Sequence, residues 1–93
     1  MSIYDWDTNK AKKNISKHGI SFEEASSVFD DKFSLTLYDP FHSKIEERFI
    51  DIGRSIKGNF LVVVYTQRRE ETRIISCRKA TLAERNAYEK QNS

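Results

Sequence analysis

Phe60-Leu61-Val62-Val63-Val64-Tyr65 is the stretch on which the fold turns. Six apolar residues in a row, half of them β-branched, fit a strand covered on both faces. Such a strand belongs in the middle of a sheet, so its partners are sought on either side. Upstream, Arg48 to Ser55 alternates, with Ile50 and Ile52 on the face shared by Arg48 and Arg54. Lys57-Gly58-Asn59 makes the turn between the two strands. Downstream, Arg68 to Glu71 reads as a charged hairpin turn. Arg73 to Arg78 is the last strand, with Ile74, Ser76 and Arg78 on one face and Ile75 and Cys77 on the other. Further upstream, Phe33, Leu35 and Leu37 alternate with Ser34 and Thr36 as a half-covered strand. The polar stretch from Tyr38 to Glu47, with Pro40 in it, reads as a loop.

The periodicity before residue 30 is different. Ile3 to Trp6 reads as a short first strand, and Asp7 is an N-cap for a helix reaching about Lys17. Gly19 supplies the left-handed residue that ends it. Ser21-Phe22-Glu23-Glu24 matches a capping box and opens a second helix to about Phe29. Phe22, Ala25, Val28 and Phe29 form its apolar stripe. Thr81-Leu82-Ala83-Glu84 is a second capping box and opens a helix to about Gln91. The order is β-α-α-β-β-β-β-α in a single domain over residues 1–93. Strands joined by short turns pair antiparallel, which makes the fold α+β, an antiparallel sheet with helices packed on one face. The other face is expected to stand open to solvent or to a ligand.

Composition narrows the function classes. The chain has 93 residues, 38% apolar and 32% charged. Eleven aromatics and the Val/Ile/Leu run argue against disorder. No stretch approaches the ~20 apolar residues of a membrane span, and the first residues lack the basic-then-apolar pattern of a signal peptide. Cys77 is the only cysteine, which excludes an intramolecular disulfide and a thiolate zinc cluster, and the cytoplasm is the expected location. His18 and His42 lack partners at metal-ligand spacing, and no phosphate-cradling glycine loop occurs, so no metal and no cofactor are expected.

The net charge of +2 hides a division. Residues 20–47 carry a net −5, residues 1–19 a net +2 and residues 48–93 a net +5. Arginine dominates the basic C-terminal half, and its planar fork fits phosphate. The plainer alternative is an ordinary solvated surface.

Arg54 and Arg78 each close a strand. If their registers match, two guanidinium groups meet on the open face, suited to a phosphodiester and to the extra charge of a pentacoordinate transition state. RNA cleavage needs no metal when a base takes the 2′-OH proton and an acid serves the leaving oxygen. His18, Glu23, Glu24, Tyr65 and Glu84 are the available proton-transfer groups. Each has a structural alternative. His18 suits a helix C-terminus, Glu24 and Glu84 are capping-box residues, and Tyr65 fits a core with its hydroxyl at the rim. Arg54 and Arg78 have Asp51, Glu46 or Glu47 as possible ion partners.

Asp5-Trp6-Asp7, Asn14, Lys17-His18-Gly19-Ile20-Ser21-Phe22-Glu23-Glu24-Ala25, Ile52-Gly53-Arg54-Ser55 and Arg73-Ile74-Ile75-Ser76-Cys77-Arg78 then carry a resemblance. In that order and spacing, with Glu84-Arg85 and Tyr88, the chain resembles the BrnT toxins along nearly its whole length. Cys77 stands where that family usually has Ala. The resemblance implies a RelE-like fold and a metal-independent ribonuclease that stops translation. It implies a BrnA-type ribbon-helix-helix antitoxin as partner, in a heterotetramer of two toxins and two antitoxins. That complex represses its own operon and reaches operator DNA through the antitoxin alone. Carried over onto these positions, Arg54, Arg78, His18 and Glu24 are the expected catalytic residues, and Lys17, Arg48 and Tyr65 the expected RNA contacts. A second reading keeps the partnership without catalysis: a corepressor that only brings antitoxin copies together.

Overall fold

A computed structural model describes residues 3–42 and 46–93. In chain order the elements are β1 (Ile3–Trp6), α1 (Thr8–His18), α2 (Phe22–Ser26) and a 3-10 turn (Ser27–Asp30). Then follow β2 (Leu35–Asp39), a 3-10 turn (Pro40–His42), β3 (Arg48–Arg54), β4 (Phe60–Arg68), β5 (Glu71–Lys79) and α3 (Leu82–Gln91). The centre of the expected loop, at 43–45, lies outside the described residues.

The sheet runs β1-β5-β4-β3-β2, which puts the Phe60 strand in the middle. β2, β3, β4 and β5 pair antiparallel, whereas β1 lies parallel to β5. No tight turn joins those two, so nothing forces them antiparallel. Leu61, Val62 and Val63 of β4 are all but fully buried, because both faces of the strand are covered.

The two faces carry two cores. On the first, Ile20, Phe22, Ala25 and Val28 pack on Leu61, Val63, Ile74 and Cys77. On the second, Tyr88 of α3 packs with Ile52 and Val62, beside Leu35, Ile50 and Phe60. The expectation that all helices share one face is therefore corrected. Phe60, Val62 and Ile52 alternate onto the second face, and their apolar surface draws α3 across one end of it.

Three local features depart from simple periodicity. In β5, Ser76 lies opposite Val64 but Ile74 lies opposite Tyr65, so Ile75 is an extra residue. This bulge puts Ile74 and Cys77 on the same face, against the expected alternation, while Arg78 faces the second core side opposite Val62. α2 tightens to a 3-10 turn after Ser26, where Ser26 and Ser27 hydroxyls donate to the carbonyls of Glu23 and Glu24. β2 begins at Leu35 and leaves Phe33 half-exposed.

β1 covers β5 only from Glu71 to Ile74. Beyond it, the buried Asn14 side chain of α1 stands in for a strand. Its Nδ2 donates to the Cys77 carbonyl at 2.8 Å and to the Ile20 carbonyl at 3.0 Å. Its Oδ1 accepts from the Cys77 N–H at 3.0 Å.

Candidate active site

The second face presents Arg48, Ile50, Ile52 and Arg54 from β3. Phe60, Val62 and Val64 come from β4, and Ser76 and Arg78 from β5. α3 covers one end, and the arginines gather there. The Arg54 guanidinium lies 5.4 Å from the Phe60 ring centre, and that of Arg85 lies 4.3 Å from it. Phe60 in turn meets Tyr88 edge-on. Two cations on one aromatic ring are held partly by its quadrupole, which positions planar forks beside one another without neutralising them.

Arg78 is held differently. Its two terminal nitrogens donate to both oxygens of Glu84 at 2.7 Å each. Glu84 also accepts from the Thr81 N–H, completing the capping box of α3. The Arg78 hydrogen bond is the main reason its carboxyl is held down at about 2, with the Thr81 N–H helping against desolvation. One carboxylate thus fastens the end of β5 to the start of α3. Arg85 pairs with Glu89 one turn on. Among the described residues, the Arg54 guanidinium alone of the three makes no ion pair with a carboxylate.

Arg54 also borders a cavity of about 320 Å³ lined by Ser27, Asp30, Asp31, Ser55 and Ile56. Asp31 accepts the Arg54 and Phe33 N–H groups and the Tyr88 hydroxyl, at 2.8–2.9 Å. Burial opposes its ionisation, yet these bonds hold its carboxyl below the ordinary range. Burial first, and then the bond to Asp31, push the Tyr88 hydroxyl up to about 12.

The other expected site residues are dispersed. Arg48 is half-buried on the same face but at the opposite end of β3. Glu24 is buried on α2, where Ser55 donates to it at 2.7 Å and Asn59 at 2.8 Å. Against its desolvation, those bonds and the nearby Lys57 and Lys79 charges keep its carboxyl below the usual value. Tyr65 stands on the first face, packed on Phe29 and Phe49, with its hydroxyl donating to Asp51 at 2.8 Å. Lys17 and His18 line a separate cleft at the end of α1. So Arg54 and Arg78 come to one end of one face, and Glu24, Tyr65, Lys17 and His18 do not join them. Arg85 is the functional-site candidate missed by reading strands. Its signal is a helical position one residue after Glu84 and three before Tyr88. Among the described residues no three His, Cys, Asp or Glu side chains gather as metal ligands.

The family model for the BrnT ribonuclease toxins of type II toxin–antitoxin systems matches residues 6–84. The chain belongs to the BrnT toxin family. The crystal structure of the Brucella abortus ribonuclease toxin BrnT superposes on it with a TM-score of 0.64 at 21% identity. The match covers 87% of this chain and 99% of that one, and establishes a shared fold. A comparison with curated proteins finds no match. The BrnT match includes Arg54, Arg78 and Glu84 and stops one residue before Arg85. A BrnT toxin of a type II system has an antitoxin as its partner.

Proposed function

We propose that this BrnT toxin is a RelE-like endoribonuclease that cleaves RNA without a metal, with the scissile phosphate bound at the α3 end of the second sheet face. The supporting observation is the gathering there of Arg54 and Arg85 on the Phe60 ring, with Arg78 at the same end of the face, tied to α3 through Glu84. Guanidinium forks bind a phosphodiester in the ground state and gain as charge builds in the transition state. Arg54 is the free fork of the set; Arg78 also anchors α3 through Glu84. Asp31 and Tyr88 stand beside Arg54, with the Asp31 carboxylate accepting from both the Arg54 backbone N–H and the Tyr88 hydroxyl.

In the cell this activity inhibits translation. A BrnA-type ribbon-helix-helix antitoxin covers the toxin in a two-plus-two complex that binds operator DNA through the antitoxin and represses the operon. The test is cleavage of a labelled RNA by antitoxin-free protein in EDTA. Arg54→Ala, which breaks no ion pair but removes the contact with the Phe60 ring, is expected to slow cleavage by roughly 10²–10³-fold while costing no more than about 1 kcal/mol of stability. Full activity in the folded Arg54→Ala protein overturns the site. Absence of wild-type cleavage, both with RNA alone and with translating ribosomes, overturns the enzyme reading and leaves a non-catalytic corepressor.

A further inference from the structure

α1 is a helix of one charge. Between Thr8 and His18 it carries Lys10, Lys12, Lys13 and Lys17 and no acid. Lys10, Lys13, Asn14 and Lys17 fall within one narrow arc of the helix, since 3.6 residues make a turn. Asn14 fixes where that arc points, because its amide is bonded to the outer edge of β5 at Cys77. The three lysines therefore overhang the part of β5 that β1 leaves uncovered. Between them lies a cleft of about 200 Å³ lined by Lys10, Lys13, Asn14, Lys17, His18, Ile75 and Ser76. No carboxylate lines it. Asp7, the N-cap at the far end of the helix, is the acid that acts on Lys10. Among the described residues none of the three lysines makes an ion pair.

The cleft adjoins the arginine face along β5. Ser76 in its wall and Arg78 in the arginine group are two residues apart on β5 and share a face, roughly 7 Å along the strand. Cationic groups thus lie to either side of this part of β5, with Arg54, Arg78 and Arg85 on the second face and Lys17, Lys13 and Lys10 at its outer edge. Lysines spaced along a cleft suit successive phosphates better than one compact anion, and a wall with lysines and no carboxylate suits a polyanion rather than a mixed-charge protein surface.

We propose that the cleft between α1 and the edge of β5 is a second RNA subsite, holding backbone phosphates of the strand that flanks the cleaved linkage. This rests on the ribonuclease reading and extends it to Lys10, Lys13, Lys17 and His18. The test measures binding, not cleavage, using antitoxin-free protein and a short fluorescent 2′-O-methyl RNA, which lacks the 2′-OH nucleophile. The combined Lys10→Gln, Lys13→Gln and Lys17→Gln variant is compared with Lys12→Gln, Lys32→Gln and Lys90→Gln, which removes as many charges elsewhere. The cleft variant is expected to bind more weakly, with a slope of log affinity against log salt smaller by about two, roughly 0.7 for each phosphate no longer neutralised. The control keeps the wild-type slope, and both melt as the wild type does. If the cleft variant keeps the wild-type slope while Arg54→Ala weakens binding, the subsite is wrong and the ribonuclease reading stands. If the two lysine variants lose slope equally, net charge is responsible and the subsite is wrong. If the wild type binds no RNA at low salt, the subsite is wrong, and cleavage with translating ribosomes decides the ribonuclease reading separately.

Discussion

Asp51 is a carboxyl group kept from water on the first face, 4% exposed, with the Tyr65 hydroxyl and Thr36 as its hydrogen-bond partners. Burial outweighs both bonds and raises its pKa above the ordinary value of 3.8. The protonated form is thus favoured by folding. The charged form costs stability above the folded pKa, and that cost disappears below the unfolded one. Asp51→Asn keeps an acceptor for Tyr65 and removes the charge. Its melting temperature is expected to exceed that of the wild type at pH 7, with the gain fading towards pH 4. A lower melting temperature at pH 7 sinks the idea. Single residues were also where the sequence spoke most clearly. Asp7, Ser21 and Thr81 each accept the backbone N–H that a cap should, and Gly19 takes the left-handed φ of 72°. Glu24 shows the limit. Ser21-x-x-Glu24 reads as a full capping box, but the carboxylate is engaged by Ser55 and Asn59, more than thirty residues away.

Between elements, the junction of β5 and α3 hangs on Glu84. Its pKa of about 2 lies below the ordinary value of 4.5, so its stabilisation is fully present above pH 4.5 and is lost as pH falls towards 2. Glu84→Gln is expected to cost about 1 kcal/mol at neutral pH, the pair being partly exposed. Denaturant melts should show the gap between the two proteins closing between pH 4.5 and 2; a pH-independent gap means packing, not charge. The strands were legible because alternation is local. The bulge at Ile75 was not, since an extra residue shows only against the partner strand. Nor was the placement of α3 across from α1 and α2, because an amphipathic helix does not say which side of a sheet it will cover. That is also why Arg54 and Arg78, at strand ends, were visible as a pair and Arg85 was not.

For the molecule as a whole, the layers meet closely at Gly53. A Cβ there would lie 2.8 Å from Val28 Cγ1 and 3.1 Å from Ser34 Cβ, so the 3-10 turn rests directly on β3. Gly53→Ala is expected to cost about 1–3 kcal/mol by forcing the helical layer off the sheet. Equilibrium unfolding checks it, and a stability equal to wild type would mean that the layer yields freely. The pairing of β1 with β5 has a consequence in time. Ile3–Trp6 meets Glu71–Ile74, and Asn14 meets Cys77, across more than sixty residues of chain. Closing such loops comes late in folding. As the polypeptide leaves the ribosome, its first strand and first helix wait without their partner while most of the domain is made. Arg78 and Arg85 arrive with or after that partner. The arginine end of the sheet therefore does not exist in any earlier intermediate of synthesis, and the producing cell meets it only once the domain is all but complete.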